Sequence, residues 1–200
     1  MKDIGINSLN GIGDFLNEML LEINGKIKQT QWSNDEIKTK YGLRSSNQIL
    51  NEGDVFYMNS CPDYSLLFYD YLNSKDANPK LIIQELFYNV LKRKVFHFAI
   101  QFDFKNLTSY VETIGFNKVS YGIGNYTGIR NNVENLRLIT LEKKISADNN
   151  IIQSVDADLK DDLEYFRNKH ISFLIKANTN SSYDAFIRKV GEPKLYLDKN

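Results

Sequence analysis

Residues 95–102 read Val-Phe-His-Phe-Ala-Ile-Gln-Phe, and this alternation is the tightest constraint in the chain. Successive side chains of an extended strand point to opposite faces. Phe96, Phe98, Ile100 and Phe102 therefore make one apolar face, and His97, Ala99 and Gln101 the other. A strand of this kind needs a sheet with one side against a core. At 42% hydrophobic residues, with twelve Tyr and twelve Phe, the 200-residue chain can fill one substantial core.

Around that strand the pattern predicts a mixture of helices and strands. Ile12, Phe15, Leu16, Met19, Leu20 and Ile23 recur at helical spacing and stop near Gly25. The polar stretch after them makes residues 1–50 an expected helical arm or lid, set apart from a core over 51–200. A strand is expected over 54–59, then a helix opened by Cys61-Pro62, with Pro at the first helical position. A second helix is expected over 79–93, closed by Lys92-Arg93-Lys94, whose cations suit a helix C-terminus. Beyond the His97 strand come a short helix over 107–114, a strand over 118–121 and a glycine-rich turn over 122–128. The expected order ends with a strand over 136–145, a helix over 156–168, a strand over 171–176, a helix over 182–190 and a strand over 194–197. Gly122-Ile123-Gly124 opens no helix, so it is not a dinucleotide-binding turn.

Set without gaps, HFAIQFDFKNLTSYVETI from His97 lies over HISFLIKANTNSSYDAFI from His170, the chain's other histidine. Ser109-Tyr110 matches Ser182-Tyr183, and Ile114 matches Ile187. The expectation is a duplicated strand-helix unit, hence an α+β fold of two-lobed, pseudo-symmetric antiparallel sheets with flanking helices. Equivalent histidines in such halves can face one another across a groove and exchange protons.

Charge narrows the partners. Lys and Arg total 25 against 25 Asp and Glu, so no general field attracts long nucleic acid or an anionic membrane. A small ligand is the better expectation, and the oligomeric state is open. No apolar run nears the roughly 20 residues of a membrane span, and the first ten residues lack a signal-peptide layout. The lone Cys61 forms no internal disulfide and suits a reducing compartment, so a cytoplasmic protein is expected. Two histidines 73 positions apart, without carboxylates at ligand spacing, make a poor metal site, and neither metal nor cofactor is expected.

His170-Ile171-Ser172-Phe173 and, with alanine in place of the hydroxyl residue, His97-Phe98-Ala99-Ile100 resemble the paired His-x-Ser/Thr-hydrophobic motifs of the two-histidine (2H) phosphoesterase superfamily, the LigT-like fold. The resemblance covers roughly residues 54–198. It implies a hydrolase, a metal-independent phosphodiesterase acting on a small cyclic or 2′,5′-linked nucleotide, a cyclic oligonucleotide among them, with His97 and His170 as paired acid and base. It further implies Ser172 on the phosphate, Gln101 substituting for the missing hydroxyl, Lys176 or Arg130 offsetting charge, and Tyr126 stacking on a base.

Two other readings stay open. A non-catalytic 2H-like domain would bind a nucleotide or a protein partner without cleavage, as Ala99 favours. A cysteine hydrolase would use Cys61 and His97. Cys61-Pro62-Asp63-Tyr64 at a helix start resembles the nucleophile helix of transglutaminase-like and papain-like proteins, where the helix dipole acidifies the thiol. Asp103 is the candidate third member, and His170 would be dispensable.

Overall fold

A computed structural model describes residues 3–58, 60–89, 93–114, 117–129, 133–141, 144–180, 183–190 and 194–198. Helix α1 (Asp3–Lys26) leads to strand β1 (Lys28–Thr30), helices α2 (Asn34–Lys40) and α3 (Ser46–Glu52), strand β2 (Asp54–Phe56) and helix α4 (Cys61–Ser74). Four strands follow, β3 (Lys80–Tyr88), β4 (Arg93–Phe104), β5 (Leu107–Ile114) and β6 (Lys118–Ile123), and then β7 (Val133–Thr140). Helices α5 (Ile151–Ser154), α6 (Ala157–Asn180) and α7 (Tyr183–Val190) precede the short strand β8 (Tyr196–Leu197).

The fold is α+β. Its six-stranded sheet runs β7-β3-β4-β5-β6-β8, and β1 and β2 make a small parallel pair. From β3 to β6 the sheet is an antiparallel meander, β7 joins β3 antiparallel, and β8 lies parallel to β6. Phe98, Ile100 and Phe102 are buried on one face, as their alternation predicts, in a cluster with Leu81, Ile83, Val111 and Val119. Helices α1 and α4 supply the opposite wall through Ile12, Leu16, Met19, Phe68 and Leu72. The first fifty residues thus contribute α1 to the main core, while Trp32, Ile37 and Tyr41 form a second cluster with Ile171 and Leu174 of α6.

Three expected elements take the other secondary structure. The segment over 79–93 is mostly strand β3, because Leu81 and Ile83 are buried on one face while Ile82, Gln84 and Leu86 are buried on the other, so no polar helical face exists. The segment over 107–114 is strand β5. Lys105 and Asn106 take positive φ angles of 48° and 66°, and turn β4 back into a tight hairpin. Arg93 and Lys94 accordingly open β4 instead of closing a helix.

The third difference removes the duplication. Residues 171–176 continue α6, since Leu159, Leu163, His170, Ile171, Leu174 and Asn178 form one uninterrupted buried stripe at helical spacing. His97 therefore lies within the first strand of a hairpin, while residues 170–180, matched to the stretch from His97, continue helix α6. In place of two lobes the described residues form one large sheet with helices over one face.

Candidate functional site

Register decides which side chains meet. Gln84 pairs across from His97, Ile82 from Ala99, and Ala99 from Glu112, so these residues share the sheet face turned away from α1 and α4. His97 Nε2 lies 2.6 Å from Glu112 Oε2, with both residues 8% exposed. The Tyr126 hydroxyl lies 2.9 Å from the same carboxylate oxygen and 2.9 Å from Gln84 Oε1.

Tyr126 reaches this face because the connection from β6 to β7 crosses it. Its backbone N–H donates to Gln101 Oε1 at 3.2 Å, and its ring packs with Ile82, Ala99 and Tyr110. Two residues on, the Gly128 carbonyl accepts from Gln84 Nε2 at 2.6 Å. Gly128 has φ +64°, and a Cβ there would fall 1.9 Å from that nitrogen, so only glycine fits.

Beyond the Ala99–Glu112 pair, β4 and β5 are no longer paired. The start of α4 sits at this opening, where the Thr113 hydroxyl is 3.0 Å from Cys61 Sγ. Glu112 and Thr113 are adjacent on β5, so one strand end serves both the imidazole and the thiol. A cavity of about 330 Å³ lies here, and Cys61, His97, Thr113 and His170 all border it. The parted strands let residues from both sheet faces reach one space.

Helix α4 is anchored from beneath. Arg44, 3% exposed, holds Asp63 at 2.6 Å, Asp54 and Glu52 at 2.9 Å each, and the Asp54 carbonyl at 3.0 Å, with its guanidinium 4.6 Å from the Trp32 ring centre. Burial pushes the Asp63 carboxyl above its ordinary pKa against the pull of Arg44. For Arg44, burial disfavours the cation, but the surrounding carboxylates outweigh it and hold its pKa up. This cluster fixes the first turn of α4, two residues from Cys61.

His170 is differently placed. It projects from α6 with ring centres 5.3 Å from Phe166, 5.9 Å from Phe173 and 5.7 Å from Tyr41. Burial, helped by the charge of Arg93, brings its pKa down to about 4, so it is neutral near pH 7 and lacks the second, acidic ring proton that a general acid donates. Burial also raises Tyr41 well above its ordinary value. The charges of Cys61 and Asp63 add to this rise, and those of Arg167 and Arg93 oppose it. The tyrosine thus sits among the thiol and both guanidinium groups.

The residues expected to bind phosphate separate in space. His97, Gln101 and Tyr126 come together on the outer sheet face, with Gln101 holding the crossing segment. Ser172 and Lys176 are exposed on α6, away from the cavity lining, and Arg130 lies outside the described residues. The expected facing of His97 and His170 from equivalent strands is corrected to one strand and one helix, although both border the cavity. Asp103 is exposed at the other end of β4, bonded to Asn78, and cannot orient His97. Glu112 is the carboxylate that meets His97, and spacing along the chain hides it because β5 reads as a helix.

No group of His, Cys, Asp and Glu able to hold a metal ion occurs among the described residues, and no helix among them is long and apolar enough to cross a membrane. Comparison with protein-family models, with curated proteins and with solved structures finds no match to this chain.

Proposed function

We propose that the chain is a cysteine-nucleophile hydrolase or acyltransferase in which Cys61 attacks, His97 moves the proton and Glu112 orients His97. One observation carries this reading: a single cavity is bordered by Cys61 and His97, and His97 Nε2 is fastened to Glu112 at 2.6 Å. The Cys61 position favours a thiolate, because it opens α4 at the positive end of the helix dipole and receives the Thr113 hydroxyl. With Nε2 engaged by Glu112, Nδ1 is the nitrogen that exchanges a proton with the thiol. The thiolate would form a C–S bond to an acyl carbonyl while His97 protonates the departing group. Water or another nucleophile would then release the acyl group and restore the thiol.

Phosphodiester cleavage by His97 and His170 has less support. It needs one imidazole charged, and a ring held neutral down to about pH 4 among aromatic side chains makes a poor acid. The deciding experiment pairs two substrate panels, activated acyl esters and 2′,3′-cyclic, 2′,5′-linked and cyclic oligonucleotides in EDTA, with Cys61→Ala, His97→Ala, Glu112→Gln and His170→Ala. Ester turnover should vanish without Cys61, fall about a hundredfold or more without His97, and persist without His170. Nucleotide cleavage that survives Cys61→Ala and needs both histidines would replace this reading with the paired-histidine one.

A further inference from the structure

The cavity beside Cys61 is walled mainly by carbon, with Leu86, Val95, Phe98, Ile151, Ile152 and Leu163 on its lining. Its formal charge is of one sign: Arg93 and Arg167 border it, and no Asp or Glu does among the described residues. Arg167 is committed to the chain itself, through Nε to the Tyr41 carbonyl at 2.6 Å and through Nη2 to the Lys38 carbonyl. Arg93 is not. Its guanidinium carbon lies 4.3 Å from the centre of the Phe173 ring, and its Nε is buried with no hydrogen-bond partner among the described residues. An arginine held by a ring face keeps its in-plane donors for another group, and the planar fork suits an oxyanion. Its charge is felt at Tyr41 and at His170, both on the cavity lining.

We propose that Arg93 is the anion anchor of this cavity, and that the substrate is an acyl donor whose apolar chain ends in a carboxylate or a phosphate. This rests on the cysteine reading given above. The apolar chain fills the carbon-walled space, its carbonyl lies at Cys61, and its charged end meets the guanidinium. In the reaction the C–S bond forms as the bond from carbonyl carbon to leaving group breaks, and His97 passes the thiol proton to the leaving group. Water then adds to the thioester, giving a carboxylic acid and the free thiol, so no oxidant or second substrate is required.

The test uses three 4-nitrophenyl esters of one chain length, ending in methyl, carboxylate or phosphate, with the wild-type chain and Arg93→Gln. Wild type should prefer an anionic ester over the methyl ester by about tenfold or more in kcat/KM, as one charge-assisted contact supplies. The ratio should fall to about one in Arg93→Gln. Preference for one anion alone tells carboxylate from phosphate. A ratio near one in wild type, or a preference that survives Arg93→Gln, overturns the anchor while leaving the cysteine reading intact. A second readout needs no turnover: hexanoate or hexyl phosphate, but not hexanol, should slow alkylation of Cys61 by iodoacetamide in wild type and not in Arg93→Gln. Equal protection by hexanol overturns the anchor. If wild type hydrolyses none of the esters and alkylation of Cys61 is indifferent to His97→Ala, the cysteine reading falls and the anchor with it.

Discussion

Replacing Gly128 by alanine perturbs one atom and tests the whole outer sheet face. The added Cβ would lie 1.9 Å from Gln84 Nε2, and Gln84 is fully buried, so its amide cannot swing into solvent. Alanine also bears a left-handed φ of +64°, which costs about 1 kcal/mol. Displacing the amide breaks its bond to the Gly128 carbonyl and disturbs the Tyr126 hydroxyl, and an unmet buried polar group adds about 1–3 kcal/mol. The expected loss is therefore about 2–4 kcal/mol, which moves a urea midpoint down by about 1 M or more for a chain this size. Gln84→Ala in the Gly128→Ala background removes the clash, so the two losses should add to less than their sum. A midpoint for Gly128→Ala within about 0.2 M of the parent, or strict additivity in the double variant, refutes the close approach described.

Two further stability predictions follow from buried ionisable groups. His170 titrates near 6.5 when unfolded and about 4 when folded, so the unfolded chain takes up the extra proton first. The stability this confers is intact above pH 6.5 and drains away as pH falls through 4, to an extent of roughly 3 kcal/mol. His170→Leu should flatten the pH dependence of the urea midpoint in that window, and an unchanged slope would contradict the assignment. Asp63→Ala leaves Arg44 buried beside a missing partner, which should cost about 3–5 kcal/mol in chemical denaturation. A loss under about 1 kcal/mol would mean the pair is solvated in the protein.

Much of the fold was legible where apolar spacing was unambiguous. The alternation over 95–102 produced a strand with the expected faces, and the amphipathic spacing over 12–23 lies within α1. Cys61-Pro62 marks the start of α4 because proline fits the first turn, where no N–H is needed. Spacing misleads where burial is two-sided or continuous. Strand β3 is apolar on both faces, so its periodicity is lost, and the hairpin turn is built from Lys105 and Asn106 without glycine. Within the candidate site, His97, Cys61, Gln101 and Tyr126 were named from the sequence. Glu112 is not legible there, because its relation to His97 depends on strand register, which spacing along one chain does not reveal. Matching His97 to His170 relied on offsets that a strand hairpin and a helix satisfy equally.

The connection carrying Tyr126 has a mechanical consequence. Strand β6 ends at Ile123, level with Ser109 and Phe102, whereas β7 begins at Val133, level with Tyr88 on the far side of the sheet. The sheet order puts β5, β4 and β3 between them, four strand spacings or roughly 19 Å across. Along the strands the two levels differ by about nine residues of β3, or roughly 30 Å, so the diagonal is roughly 35 Å before twist shortens it. Over its described part the connection is tied to the sheet at three points: the Gly124 N–H donates to the Thr108 carbonyl, the Tyr126 N–H to Gln101, and the Gly128 carbonyl accepts from Gln84. It is a strap fastened across the outer face, and these bonds, not the strand ladder alone, keep the His97–Glu112 pair covered.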